Sequence, residues 1–395
     1  MATAYRSRTP LGAANRRPLA NVRRNPASPF RHVDMVLVVC VGIVGVFGAV
    51  MVYSTTRGPT PPYDTSFLKR VIMFLIIGGV VMVGTALFDY RKLRDYWPFI
   101  YGGSTLLLLL VLIPGIGSRS KGTQGWFQLG PFQLQPSELA KLGMIIGFAG
   151  LASQFRGDLD NTRVAMLLGL CGAPMILVLL QPDLGTTLVS VAVAFALLLV
   201  AGVRPRILGV LAVAAILGTA LILTSGVLKE YQVARLTTFI DQDEASSKDL
   251  SEGAAFNLEQ AKLAIGSGGA WGQGLFDGAQ TRSGNVPEQR TDFIFTAVGE
   301  ELGFVGAGAL LTLLGVIVWR VWRTAQLARD DFGTLLCTGI MVMLVVQIFE
   351  NVGMTMGIMP ITGIPLPLMS YGGSAMLTTF LSVGLVLSVH MRRFA

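Results

Sequence analysis

Charged side chains are scarce in this sequence. Only 14% of its 395 residues are Asp, Glu, Lys or Arg, while 52% are hydrophobic. A soluble domain carries about 25% charged residues, so this chain has too few to cover a surface facing water. Histidine and cysteine are rarer still. Cys40, Cys171 and Cys337 each fall inside an apolar run with no pair spacing, which argues against a disulfide framework and a zinc site. His32 and His390 stand at opposite ends of the chain, so a histidine-based metal site is not expected. A Walker loop and a dinucleotide fingerprint are absent, so an activated donor would have to arrive already made. The net charge of +8 comes without interleaved aromatics, and no nucleic-acid partner is expected.

What the chain has is length of apolar run. Ten stretches read as membrane spans, at 35–53, 71–88, 97–113, 138–153, 164–181, 186–202, 206–226, 293–319, 333–356 and 371–391. The expectation is an all-α polytopic membrane protein, a bundle of about ten transmembrane helices. The fourth stretch is short and polar at its start, which suggests a tilted or partly inserted segment. Residues 1–32 carry seven arginines among Pro, Ala and Asn and read as a disordered basic cytoplasmic tail touching anionic membrane lipid. With the tail inside, the inside loops hold Arg91, Lys92, Arg94, Arg156, Arg163, Arg204, Arg206, Arg320, Arg323 and Arg329, and the end holds Arg392 and Arg393. That satisfies the positive-inside rule and places both termini in the cytoplasm. Residues 114–137 and the long loop 227–292 then face outward.

Four polar stretches fall on that outer face. In VPEQRTDFIFTAVGEELGF (286–304), Asp292 marks where the long loop enters the eighth span, with Glu288 and Arg290 just before it. A helix cap competes evenly with chemistry for Asp292. Glu300 and Glu301 lie about 12 Å deeper in a continuous helix, facing a cavity or held by a basic group or backbone. In GWFQLGPFQLQPSELAK (125–141), Gln135, Pro136, Ser137 and Glu138 mark a helix start. Lys141 either pairs with Glu138 one turn away or faces a lipid anion or a catalytic carboxylate. Arg119 and Lys121 would share that anion, and Trp126 suits an interfacial anchor better than a substrate platform. In QPDLGT, Pro and Gly make the turn and Asp183 is first a cap for the sixth span. In NVGMTMGIMPITGIPLPLMSYGGS (351–374), three prolines forbid a continuous helix, and Asn351, Ser370 and Tyr371 offer hydrogen bonds beside irregular backbone. One-sided placement of these motifs points to a site in the outer leaflet.

Taken together, these motifs, with AIGSGG in the long loop, resemble the shape, elongation, division and sporulation (SEDS) family over residues 33–393. The stretch NVGMTMGIMPITGIPLPL is more RodA-like, the elongation branch, than FtsW-like, the division branch. The resemblance implies one domain over 33–395, in the bacterial inner membrane, acting as a peptidoglycan glycosyltransferase. It would polymerise lipid II into glycan strands during elongation and shape maintenance. It places the family's catalytic aspartate on Asp292 and its basic partner on Lys141, and implies a class B penicillin-binding protein as partner. Gly125 stands where many members carry a basic residue. Lipid II carries its sugar on a pyrophosphate that leaves without protonation, so one general base is enough for an inverting displacement. Nearby cations would steady the leaving charge. No cofactor is required by this chemistry, although a divalent cation (Mg or Mn) bound with the pyrophosphate is compatible with it. The competing readings are a lipid II flippase using Glu300, Glu301 and Glu350, and a non-catalytic scaffold that activates a partner transpeptidase.

Overall fold

The computed structural model describes residues 32–58, 60–120, 123–130, 132–155, 159–224, 239 and 253–394. The expected tail at 1–32 therefore lies almost wholly outside the described residues, as do Lys121, Arg156 and most of 225–252. All ten expected spans appear as helices. They are α1 (Met35–Thr56), α2 (Ser66–Leu87), α3 (Tyr90–Leu112), α4 (Pro136–Gln154), α5 (Asn161–Leu180), α6 (Leu184–Val200) and α7 (Pro205–Thr224). After the long loop, with its helices α8 (Ala254–Ser267) and α9 (Ala279–Ser283), come α10 (Ile294–Gln326), α11 (Asp331–Thr355) and α12 (Gly373–Met391).

Among the described residues, seven of these helices are long and apolar enough to cross a membrane, and α6 and α7 supply shorter apolar helices. The fourth helix, α4, is outside that group for a reason the sequence hides. Protein walls it nearly all round, and 15 of its 19 residues are buried. A helix surrounded by protein needs no lipophilic surface, because its neighbours take the place of lipid. Gly143, Gly147 and Gly150 line one side of α4, where an added Cβ would meet Ser104, Tyr101 and Trp97 of α3. Small residues at this four- and three-residue spacing let two backbones close up without lipid between them.

Two features depart from the sequence reading. Residues 114–137 fold into a three-stranded antiparallel sheet rather than a plain connection. The strands are β1 (Ser118–Ser120), β2 (Thr123–Leu129) and β3 (Phe132–Leu134), with Arg119 opposite Gln124 and Phe127 opposite Leu134. The eighth span is also not continuous. Gly303 adopts φ 65° and ψ −164° and breaks α10 into two helical parts. Broken backbone in a bilayer survives only where its polar groups find partners. Here the 269–274 loop supplies them. Phe304 and Val305 N–H donate to the carbonyls of Gly269 and Ala270, and Gln273 and Gly274 N–H donate to those of Glu300 and Glu301.

The two ends of the bundle differ. One end is tied by ion pairs and carbonyl contacts. Asp34 caps α1 and accepts from Arg320 Nε at 2.7 Å, while Arg392 reaches the carbonyls of Ala86 and Leu87. The other end gathers the start of α4, the α5–α6 turn, the start of α10, and the segment between α11 and α12.

Candidate functional site

At that second end, two polar clusters meet. The first belongs to α4 and α6. Gln135 precedes α4 in extended conformation, and Pro136 opens the helix where a missing N–H costs nothing. The Gln135 backbone N–H donates to Ser374 Oγ at the start of α12. One turn on, Lys141 Nζ lies 2.8 Å from Glu138 Oε1, with both side chains buried. The ion pair foreseen as one alternative is therefore formed, and it occupies the ammonium of Lys141. Asp183 caps α6 through Thr186 N–H at 3.0 Å and Thr186 Oγ1 at 2.8 Å, and accepts from Gln135 Nε2 at 3.5 Å. Burial pushes the Asp183 carboxyl up, opposed by the Thr186 hydrogen bonds and the Lys141 charge. Ser137 Oγ is buried with no partner among the described residues. Trp126 lies half-buried on β2. Beside it, an added Cβ on Gly125 would be 3.3 Å from Gln181 Oε1, so the sheet abuts the α5–α6 turn. The Arg119 side chain lies outside what is described.

The second cluster surrounds Asp292. This residue does not cap α10, whose N-cap is Phe293 without a side-chain bond. It lies instead in the preceding turn, where the N–H groups of Thr291 and Asp292 donate to the carbonyl of Glu288. Glu288 holds φ at 52°, the left-handed region, and its carboxylate accepts from Thr291 Oγ1 at 3.2 Å. Asn351, fully buried near the end of α11, donates from Nδ2 to the carbonyls of Asp292 (2.7 Å) and Ile364 (2.8 Å). One amide thereby locks the Asp292 turn to the irregular 357–372 segment. The Asp292 carboxylate faces Gly363, where an added Cβ would lie 3.3 Å from Oδ2. Ser370 Oγ accepts from Leu366 N–H at 2.8 Å, and Tyr371 N–H donates to the Arg290 carbonyl at 2.9 Å. The segment 362–364 joins the two clusters, since Gly185 of α6 packs against Thr362 and Ile364.

The acids below Asp292 have another task. Glu300 accepts from Gln280 N–H at 2.6 Å, Thr281 N–H at 3.0 Å and Thr281 Oγ1 at 2.7 Å. Glu301 accepts from Ser54 Oγ and from Phe276 N–H. Both carboxylates pin the 276–281 segment, which is the backbone alternative rather than the cavity one. Glu350 is 1% exposed and accepts from Thr362 Oγ1 at 3.2 Å. Glu300 and Glu301 are thereby tied to the outer loop, as structural acids would be.

Sequence reading named Arg290 and Tyr371 but missed Phe67 and Arg70, which complete a group beside Asp292. Phe67, at the start of α2, packs edge-on against Tyr371 with ring centroids 5.2 Å apart. Arg290 stacks 4.5 Å over Phe67, and Arg70 lies 5.8 Å from the same ring. The signal was present as Phe67 and Arg70 at i and i+3 on a helix start, but nothing local says which loops would pack there.

Comparison with known proteins gives a consistent picture. The family model of the FtsW, RodA and SpoVE cell cycle proteins matches residues 33–394. The peptidoglycan glycosyltransferase MrdB of Escherichia coli (strain K12) is 34% identical, covering 92% of this chain and 94% of MrdB. The probable peptidoglycan glycosyltransferase FtsW of Geobacter metallireducens is 37% identical, covering 91% of this chain and 95% of that protein. Among solved structures, a chain from a peptidoglycan synthase complex that coordinates polymerization and crosslinking superposes with a TM-score of 0.75. It is 32% identical and covers 92% of this chain and 98% of its own. The rod shape determining protein RodA of Thermus thermophilus superposes with a TM-score of 0.68 at 30% identity, covering 92% and 98% respectively.

Proposed function

The chain belongs to the FtsW, RodA and SpoVE family of cell cycle proteins, and from that membership we infer that it is a peptidoglycan glycosyltransferase. Its substrate is a lipid-linked disaccharide, lipid II, and its product a growing glycan strand. The observation that carries the catalytic reading is Asp292. It is a half-buried carboxylate in a turn fixed by Asn351, against a glycine, at the end of the bundle where every polar motif collects. That end faces outward in this reading, because Arg91, Arg320, Arg323, Arg392 and Arg393 all lie at the other end, and basic residues stay inside. Both termini are then cytoplasmic.

In the reaction, the acceptor hydroxyl oxygen attacks the anomeric carbon as the bond to the diphosphate oxygen breaks. The hydroxyl proton passes to the Asp292 carboxylate, and the bonding electron pair leaves with the diphosphate. A single displacement inverts the anomeric centre, so a β link follows from an α donor. Lys141, held by Glu138, contributes positive potential beside Asp183 and shapes the floor of the site. Among the described residues, no three His, Cys, Asp or Glu side chains come together. A Mg or Mn ion would accordingly be held chiefly by diphosphate oxygens. The RodA-like stretch at 351–368 supports a role in elongation. The synthase-complex relative supports a class B penicillin-binding protein as partner.

The test is Asp292→Asn in purified protein supplied with lipid II. Asn keeps the shape but takes no proton, and losing a general base costs about 10²–10⁴-fold in rate. Polymerisation falling that far with an unchanged melting temperature is the expected result. Activity within a few-fold of wild type would remove Asp292 from the chemistry. A scaffold that only activates a partner predicts that outcome in the presence of the partner.

A further inference from the structure

A polymerase of this kind breaks a bond to a diphosphate, and the positive charge that steadies that leaving group has to stand close to the base. Lys141 is a poor choice, because its ammonium is buried and already paired with Glu138 at 2.8 Å. Arg57 is also engaged. It donates to the Phe276 carbonyl and stacks between Tyr63 and Phe276. Arg290 and Arg70 differ from both. Among the described residues, neither has a carboxylate within ion-pair distance, and none accepts a hydrogen bond from the Arg290 guanidinium. Two like charges nonetheless share one aromatic ring, with Arg290 4.5 Å and Arg70 5.8 Å from the Phe67 centroid. Tyr371 closes the group by packing on Phe67 and donating its N–H to the Arg290 carbonyl.

The aromatic faces hold these guanidiniums without using their donors. Like charges held together with free, planar donors are organised for an anion that bridges them, and a guanidinium fork matches phosphate oxygens. Arg290 lies two residues before Asp292 in the same turn. A diphosphate bonded to the reacting anomeric carbon is within reach of such a group, whereas the acceptor's own diphosphate is separated from its attacking hydroxyl by the whole disaccharide.

We propose that Arg290 and Arg70, mounted on Phe67 and Tyr371, clamp the diphosphate of the lipid-linked sugar whose anomeric bond is broken. The proposal rests on the glycosyltransferase reading above. As the C–O bond breaks, its electron pair goes to the diphosphate oxygen, and the two guanidiniums donate hydrogen bonds to the charge that develops there. The acceptor proton goes to Asp292, so base and clamp act on opposite sides of the same carbon.

The experiment uses the full chain in nanodiscs and carries two readouts. In an Asp292→Asn background, which binds without turnover, farnesyl diphosphate is titrated as the probe, and Arg70→Gln and Arg290→Gln are added singly. Each is expected to weaken probe binding by about tenfold or more. In the otherwise wild-type chain, each is expected to lower kcat with lipid II by about 10²-fold, with melting unchanged. Arg→Lys is not expected to restore it, since an ammonium lacks the fork. Undiminished probe binding in both variants would overturn the proposal. So would a binding loss seen only in phosphatidylglycerol nanodiscs and absent in phosphatidylcholine ones, which would make the pair a headgroup contact. Should Arg290→Gln fail to fold, the exposed Arg70 carries the test. A wild-type chain that binds the probe through these arginines but makes no polymer would sink the glycosyltransferase reading and leave the anion site standing.

Discussion

Replacing Glu300 by Ala separates a structural acid from a chemical one. Its carboxylate, with 0% exposure, accepts three hydrogen bonds from Gln280 and Thr281. Removing it leaves the Thr281 N–H buried without an acceptor, while the Gln280 N–H, at a part-buried position, regains water. A buried donor left unpaired costs about 1–3 kcal/mol, and bonds to a charged group are the stronger kind, so a total of about 2–4 kcal/mol is expected. The loss spreads toward the site. Thr281 Oγ1 accepts from Gln289 Nε2 at 2.9 Å, and Gln289 also reaches Thr296 Oγ1, which donates to the Phe293 carbonyl beside Asp292. Hydrogen exchange of residues 276–285 is the direct assay. Protection there should fall by roughly 10²-fold, with polymerisation reduced alongside it. Glu300→Gln should show a smaller loss of the same kind, because one of its two acceptor oxygens becomes a donor facing donors. Wild-type protection in Glu300→Ala together with abolished activity would refute this reasoning and return Glu300 to the candidate chemical groups.

Two further outcomes follow from the same geometry. Lys141→Ala should destabilise the protein by about 3–5 kcal/mol, since Glu138 is left buried and charged. The pair Lys141→Met with Glu138→Gln should recover much of that in denaturation measurements, and simple additivity of the single changes would show the pair to be uncoupled. Thr60, exposed in the connection between α1 and α2 at the same end as Asp292, gives a topology probe. Thr60→Cys should react with an impermeant maleimide in intact spheroplasts over a low background, because all three native cysteines are buried. Labelling only after permeabilisation would reverse the orientation and place the site in the cytoplasm.

Much of the fold is legible in the chain because a bilayer restricts the choices. Apolar runs of about 20 residues match a spanning helix, which satisfies its own backbone in lipid, whereas a barrel strand would be about half that length. Ten spans were readable for that reason, and α4 was recognisable although its character was not. Its polar start read as partial insertion, while the structure makes it the protein-walled centre of the bundle. The sheet at 118–134 was not legible, because its strands are short and its pattern is broken by Gly and Pro. The break at Gly303 was also hidden. A lone glycine in a helical pattern is ordinarily tolerated, and the hydrogen bonds that repair the break come from residues about thirty positions earlier in the chain.

The same division runs through the site. Sequence alone determined that Asp292, Lys141, Asp183 and Asn351 belong to one end of a membrane bundle, because motif position and arginine asymmetry are local and additive. Tertiary structure alone decided what each does there. It turned Asp183 and Lys141 into a cap and a paired charge, set Glu300 and Glu301 to holding a loop, and left Asp292 against Gly363 with its backbone tied by Asn351. It also brought Arg70 from α2 to Arg290 across 220 residues of chain on a single aromatic ring. Whether a polar side chain is a cap, a strut or a reagent depends on which partner reaches it first, and those partners are distant in sequence and near only in the folded bundle.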